Sequence, residues 1–74
     1  MKANAPTRIA VDSSSIAAVG FSAGAHTLEV QFHRGPTYRY FHVPYQVFAA
    51  FLAAPSKGRF FNSYIRPRFV CQRV

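Results

Sequence analysis

The chain has 74 residues, of which 50% are apolar and 16% aromatic, and its nine Lys or Arg against two Asp or Glu give a formal charge of +7. A chain of this size buries only about 60% of its unfolded surface, so we expect one small domain with little room for a deep cavity. The length excludes a large multidomain enzyme, and the apolar content excludes an intrinsically disordered tail.

The cysteine content and the apolar runs indicate a reducing compartment and no membrane span. The single cysteine, Cys71, excludes an intrachain disulfide and a thiolate metal cage. The longest apolar run, residues 47–54, is far short of the ~20 residues that cross a bilayer. No apolar signal segment follows the first residues. We therefore expect a cytoplasmic protein without a membrane partner.

Positive charge is concentrated in the later part of the chain. Up to residue 29 two cations balance two carboxylates, whereas seven cations from residue 30 onward are unopposed. These seven are Arg34, Arg39, Lys57, Arg59, Arg66, Arg68 and Arg73. A positive surface of this kind attracts the phosphates of nucleic acid or of anionic lipid, although it can also serve solubility alone.

Composition along the chain divides it into three segments. Residues 1–13 lack sustained periodicity and are expected to form a flexible leader. The domain itself is expected over residues 14–70. Residues 71–74 form a tail that either adds an edge strand or frays.

Three strands are predicted in succession. Residues 16–21 are apolar and precede turn residues, and residues 27–33 alternate strictly between apolar and polar side chains. Residues 37–43 follow with high β-propensity. Short links between these segments favour a three-stranded antiparallel meander.

The hairpin between the second and third strands has two possible registers. A three-residue loop over residues 34–36 pairs Val30 with Tyr40 and Phe32 with Tyr38, which places both tyrosines in the core. A four-residue loop moves the pairing by one residue and turns both rings toward solvent. The first register is favoured because it gives both strands a common apolar face.

Two short helices are predicted after the strands. Pro44 suits the first turn of a helix over residues 45–54, whose apolar residues recur at three- and four-residue spacing. Ser56 is a suitable N-cap for a second helix over residues 57–65, and Pro67 disfavours its continuation. The predicted fold is therefore α+β, with the small antiparallel sheet followed by two short helices packed on one face.

Several of these segments together resemble the KTSC domain. They are Val19-Gly20-Phe21, Leu28-Glu29-Val30-Gln31-Phe32, Tyr38-Arg39-Tyr40, Val43-Pro44 and Ser56-Lys57-Gly58-Arg59-Phe60-Phe61-Asn62. The similarity covers about residues 13–69. The family occurs at the carboxyl end of some lysyl-tRNA synthetases and as free-standing small bacterial proteins, and a role in RNA binding has been suggested for it. We expect the motif positions Tyr38, Tyr40, Pro44, Phe61 and Asn62 to be structural.

Neither a catalytic nor a metal-binding constellation is visible. Asp12 and Glu29 are the only carboxylates, one in the expected leader and one facing out from a strand. Cys71 lies on the tail, where no packed neighbour is expected to activate it. The histidines are spaced irregularly, and the glycines are too dispersed for a phosphate-binding loop. We therefore expect no enzymatic activity, no metal and no cofactor.

Cations interleaved with aromatic residues make the carboxyl third the candidate binding region. Single-stranded nucleic acids are bound by cations on phosphates and rings on bases. The expected phosphate contacts are Lys57, Arg59, Arg66 and Arg68, extended by Arg39 and Arg34. The amino end of the second helix, at Ser56, Lys57 and Gly58, is a further place for a phosphate.

Two functional hypotheses follow. The first is a non-enzymatic module that binds RNA, tRNA among others, with low base specificity. The second is a protein-interaction or homodimer-forming module, because half of the residues are apolar in a chain with little interior. A membrane-surface role ranks last, because no stretch combines a basic face with an apolar face that the core does not need.

Overall fold

The computed structural model describes residues 7–74, so the first six residues of the expected leader lie outside the described residues. Five antiparallel strands form one sheet in sequential order. They are β1 (Arg8–Ala10), β2 (Ile16–Ser22), β3 (Thr27–Phe32), β4 (Thr37–Tyr40) and β5 (Cys71–Arg73). The α+β class is confirmed, but the sheet has five strands rather than three. The additional strands, β1 and β5, lie in the segments expected to be leader and tail.

A β-bulge in β2 brings its first residue into the core. Ile16 lies opposite Phe32, whereas Ala18 lies opposite Gln31, so Ala17 is an extra residue in the ladder. Because one extra residue reverses the alternation of side chains, Ile16 and Val19 both point toward the core. Ile16 is completely buried as a result.

The β3–β4 pairing differs from the predicted register by two residues. Val30 lies opposite Tyr38, and Leu28 lies opposite Tyr40. A shift of two residues preserves the side-chain face, so the prediction that both tyrosines join the apolar side is correct. Tyr40 is only 3% exposed, and Tyr38 packs against the core. The ring of Phe32, the last residue of β3, packs edge-on against Tyr38.

Helix α1 (Tyr45–Ala53) covers one part of the sheet. Pro44 occupies its N-cap position in an extended conformation. Phe48 stacks on Phe21 of the sheet with ring centroids 4.9 Å apart. Phe51, on the next turn, is completely buried, so the predicted apolar stripe does face the core.

The second predicted helix changes from α-helical to π-helical winding halfway along. Helix α2 (Lys57–Phe60) is capped by the Ser56 hydroxyl, which accepts a hydrogen bond from the Arg59 amide, as predicted. The chain then continues as a π-helical turn (Phe61–Ile65), closed by the Arg66 amide donating to the Phe61 carbonyl at 2.9 Å. Single π-turns of this kind are rare and often lie at functional sites.

Candidate binding cleft

A cleft of about 810 Å³ lies between the β3–β4 hairpin and the π-helical turn. Ligand sites in proteins commonly measure about 300–1,000 Å³. This is a surface cleft, so it does not contradict the expectation that so short a chain has little room for a deep cavity. The space is available because the cleft opens at the surface between the sheet and the helical segment.

Four aromatic rings form the floor of the cleft. They are Phe32, Tyr38, Tyr40 and Phe61. Phe61 meets Phe32 and Tyr40 in edge-to-face contacts, with centroid distances of 5.3 and 5.6 Å. Such contacts add about 0.5–1.5 kcal/mol each beyond the burial of their area. The tyrosines of the motif therefore pack with the core and also present surface to the cleft.

One wall of the cleft is a face of the helical segment. Gly58, Asn62 and Arg66 follow one another at four-residue spacing, and all three line the cleft. A Cβ atom at Gly58 would lie 3.1 Å from the Ser15 hydroxyl, so the glycine allows the helix to approach the β1–β2 connection closely. Asn62, expected to be structural, is exposed on this wall. Pro44, in contrast, does not line the cleft.

The charges around the cleft have one sign. Arg34 on the hairpin and Arg66 after the π-turn both line it and are exposed. Among the described lining side chains none is acidic. His33, between them, holds its ring by a 2.9 Å contact from Nε2 to the Ser13 carbonyl. The cleft therefore attracts an anion.

Tyr40 and Cys71 form the corner of the cleft where β4 meets β5. They lie directly opposite each other in the ladder. Burial, assisted by the Cys71 thiol, raises the pKa of Tyr40 to about 12, against the opposing effect of Arg66. The phenol thus keeps its proton at neutral pH. Cys71 itself remains exposed on β5, with Tyr40 as its cross-strand neighbour.

Arg39, expected to contact phosphates, lies on the opposite face of the sheet. Its Nε and Nη2 donate to Oε2 of Glu29 at 3.0 and 2.7 Å. Arg8 donates to Oε1 of the same carboxylate at 3.2 and 2.9 Å. Glu29 was expected on an exposed polar face, but the two guanidinium groups cover it and it is completely buried.

The electrostatics of Glu29 explain how a carboxylate remains charged there. Burial alone raises the pKa of Glu29, but the hydrogen bonds and positive charges of Arg39 and Arg8 outweigh burial and hold it below the ordinary 4.5. Glu29 is therefore ionised at neutral pH. Arg39 already has an anionic partner, which leaves it less free to bind a second anion.

The other cations predicted from the sequence occupy the helical segment and the turn after it. Lys57 donates to the Ala54 carbonyl at 2.7 Å, and the Ser56 hydroxyl already accepts from Arg59. The expected phosphate position at the helix start is thus partly filled by the chain itself. Arg59 is exposed, and Arg68 lies over the Tyr64 ring at 5.6 Å. Six cations were predicted to contact phosphates. The structure brings two of them, Arg34 and Arg66, together at the cleft, and the other four do not line it.

The fold and the cleft define a small α+β domain built around an aromatic, arginine-bordered site. Residues 7–74 contain no cluster of three side chains that could hold a metal ion, and no helix among them is long and apolar enough to cross a membrane. The chain belongs to the KTSC domain family, whose model matches residues 12–69. The family resemblance inferred from the motifs is thereby confirmed.

Relatives of two kinds share this domain. A protein of Tsukamurella paurometabola is 46% identical over 59 residues, covering 80% of this chain and 88% of that protein. A lysine–tRNA ligase of Nostoc punctiforme is 36% identical over 63 residues, covering 85% of this chain but 11% of the ligase. The crystal structure of a KTSC domain protein from Yersinia pestis matches with a TM-score of 0.92 at 38% identity, covering 95% of this chain and 99% of that one.

Proposed function

We propose that this domain binds single-stranded RNA by taking one nucleotide into the cleft between the β3–β4 hairpin and the π-turn. The observation that carries the proposal is the combination of an aromatic floor with Arg34 and Arg66 and no acidic side chain among the described residues of the lining. A nucleotide has both parts that such a site accommodates, a flat ring system and an anionic phosphate.

The chemistry of the cleft matches that of known single-strand binding. Stacking of a base on an aromatic side chain contributes about 1–3 kcal/mol, and arginine contacts phosphate with two parallel hydrogen bonds. Tyr38 and Phe32 are the partly exposed rings of the floor and are more accessible to a base than the buried Tyr40 and Phe61. Arg59 and Arg68, exposed on the helical segment and the following turn, increase the positive potential along the strand.

The relatives give independent support for RNA as the partner. A lysine–tRNA ligase acts on a tRNA, and a segment related to this chain forms a small part of such ligases. A basic accessory domain in that context is suited to hold RNA without taking part in the chemistry. We propose the same non-catalytic binding for the free-standing chain.

Salt dependence and one matched pair of variants test the proposal. A labelled single-stranded RNA is titrated with the protein, and the dissociation constant is measured by fluorescence anisotropy. Each phosphate contacted should contribute about −0.7 to the slope of log K against log salt. Arg34→Gln should weaken binding more than Arg73→Gln, which removes the same charge from an exposed residue outside the cleft lining. Equal effects of the two substitutions, or a slope near zero, would contradict the proposal.

A second candidate function, homodimer formation, is favoured by the free edge of β5. Val70 and Val74, at either end of this strand, bond to β4 through their backbones but remain 74% and 50% exposed. By alternation, the backbone N–H of Arg73 points away from β4, where a second copy could pair. Light scattering tests this: Arg73→Pro should turn a dimer into a monomer. A wild-type monomer at all concentrations rejects this candidate.

A further inference from the structure

The corner of the cleft beside β5 is rich in hydrogen-bond donors. Tyr40 and Cys71 face each other across β4 and β5, and Arg66 acts electrostatically on the phenol from the end of the π-turn. All three residues line the cleft. A phenol, a thiol and a guanidinium each have hydrogen to donate, and the guanidinium accepts none. A ligand group in this corner is therefore required mainly to accept.

The hydroxyl of Tyr40 is available for such a ligand. Tyr40 takes part in none of the side-chain hydrogen bonds to nitrogen or oxygen among residues 7–74. Its near neighbour is the thiol of Cys71, which is a weak acceptor. The residue is only 3% exposed, so its ring is held in place while its hydroxyl lacks a strong partner. A carbonyl oxygen or ring nitrogen entering the corner would provide one.

The nucleobases differ in the groups that they offer to this corner. Guanine presents two adjacent acceptors, O6 and N7, whereas adenine presents N7 beside an amino group that donates. An amino group facing the Arg66 guanidinium would place donors against donors, because a guanidinium accepts no hydrogen bond, whereas the Tyr40 oxygen can accept one. Arginine pairs with O6 and N7 of guanine through two parallel hydrogen bonds, the commonest specific contact between proteins and bases. Arg34, on the hairpin, remains free for the phosphate.

We infer that the cleft selects guanine, through Arg66 and Tyr40 at the corner where β4 meets β5. The inference rests on the proposed function, since it names the base that the RNA-binding cleft prefers. It departs from the low base specificity expected from the sequence. Contacts to O6 and N7 require the two acceptors to lie side by side, so adenine should bind less tightly than guanine.

Two pentanucleotides that differ at one position provide the test. The dissociation constants of UUGUU and UUAUU, both labelled at the 5′ end, are measured by anisotropy at low salt. UUGUU should bind about 5- to 150-fold more tightly, the range of one bidentate base contact. Replacing the guanine by 7-deazaguanine, which lacks the N7 acceptor, should remove most of the preference without any change in the protein.

Two variants locate the preference within the cleft. Arg66→Lys keeps the charge but loses the planar pair of donors, so the ratio of the UUAUU to the UUGUU dissociation constant should fall toward one, whatever happens to the affinity for RNA in general. Tyr40→Phe keeps the ring and should reduce the preference, with folding checked by circular dichroism. Equal affinities for the two RNAs in the wild type would overturn the inference and leave the proposed function standing. A full preference in Arg66→Lys would also overturn it, and failure of both RNAs to bind would overturn both proposals.

Discussion

Replacing Glu29 by glutamine should destabilise the fold far more than its position on the outer face of the sheet suggests. The Glu29 carboxylate accepts four hydrogen bonds, two from Arg8 and two from Arg39. In Glu29→Gln the shape is nearly unchanged, but the charge is lost and an NH₂ group replaces one oxygen. That NH₂ group then faces guanidinium donors, and at least one arginine loses its partner.

The loss of stability in Glu29→Gln depends on how completely the two arginine side chains are rehydrated. Breaking a buried ion pair by removing one partner costs about 3–5 kcal/mol. Here the side chains of Arg8 and Arg39 are 37% and 35% exposed, so both can be rehydrated. We therefore expect a loss of about 2–3 kcal/mol, below that range. The whole domain should have a free energy of unfolding of about 4–11 kcal/mol, so the loss is a large share of it.

Urea denaturation followed by circular dichroism measures this loss, and the chain offers a matched control. Asp12 is the other carboxylate, it is exposed, and Asp12→Asn changes the net charge by the same amount as Glu29→Gln. A difference between the two variants thus excludes general charge repulsion. Because the folded-state pKa of Glu29 lies below 4.5, its stabilisation is present above that pH and disappears as the pH falls through the folded value. Equal losses in both variants at neutral pH would refute the reasoning.

Three further outcomes are expected. The folded-state pKa of Tyr40 is about 12 against an ordinary 10.0, so the free energy of unfolding should fall by about 1–3 kcal/mol as the pH rises between those values. Tyr40→Phe should reduce this fall, as measured by urea denaturation at alkaline pH. Ser56→Ala should cost about 1 kcal/mol in thermal melts, because the amide of Arg59 loses its cap, whereas Ser63→Ala, an exposed serine on the π-turn, serves as control. Gly58→Ala should be neutral or stabilising by up to about 1 kcal/mol if the Ser15 hydroxyl rotates away, and a large loss in the same melts would show that it cannot.

Sequence patterns predicted which face of the sheet is apolar but not the register between the strands. The alternation of Leu28 and Val30 defines which side chains point inward, and that face persists through a register shift of two residues. The register itself depends on the conformation of the hairpin connection, which propensities do not determine. Strand β1 was missed, and an edge strand at β5 was only one of two alternatives for the tail. Each of these strands has three exposed residues, so only the neighbouring strand edge selects its conformation.

The cleft and the Glu29 cluster were beyond local sequence reasoning for a different reason. Arg8 is 21 residues from Glu29 along the chain, and Arg39 is 10 residues away. Their meeting follows from the alignment of four strands, β1 to β4, which cannot be derived from charge spacing. The cleft likewise requires Arg66 and Cys71 to lie beside β4, from which they are far removed along the chain. Gly58 and Asn62 both belong to the family motif. Their four-residue spacing is the sequence signal that could have placed them on one wall of the cleft.

Because β5 lies late in the sequence, ligand binding in the cleft is connected with the order in which the strands pair during folding. Strands β2, β3 and β4 are joined by short turns and can pair early, whereas residues 41–70 separate β4 from β5. We therefore expect Cys71 and the corner around Tyr40 to come together in one of the last steps of folding. A chain halted before that step would have most of its core and no complete cleft. A bound ligand should accordingly slow unfolding by holding the final strand in place.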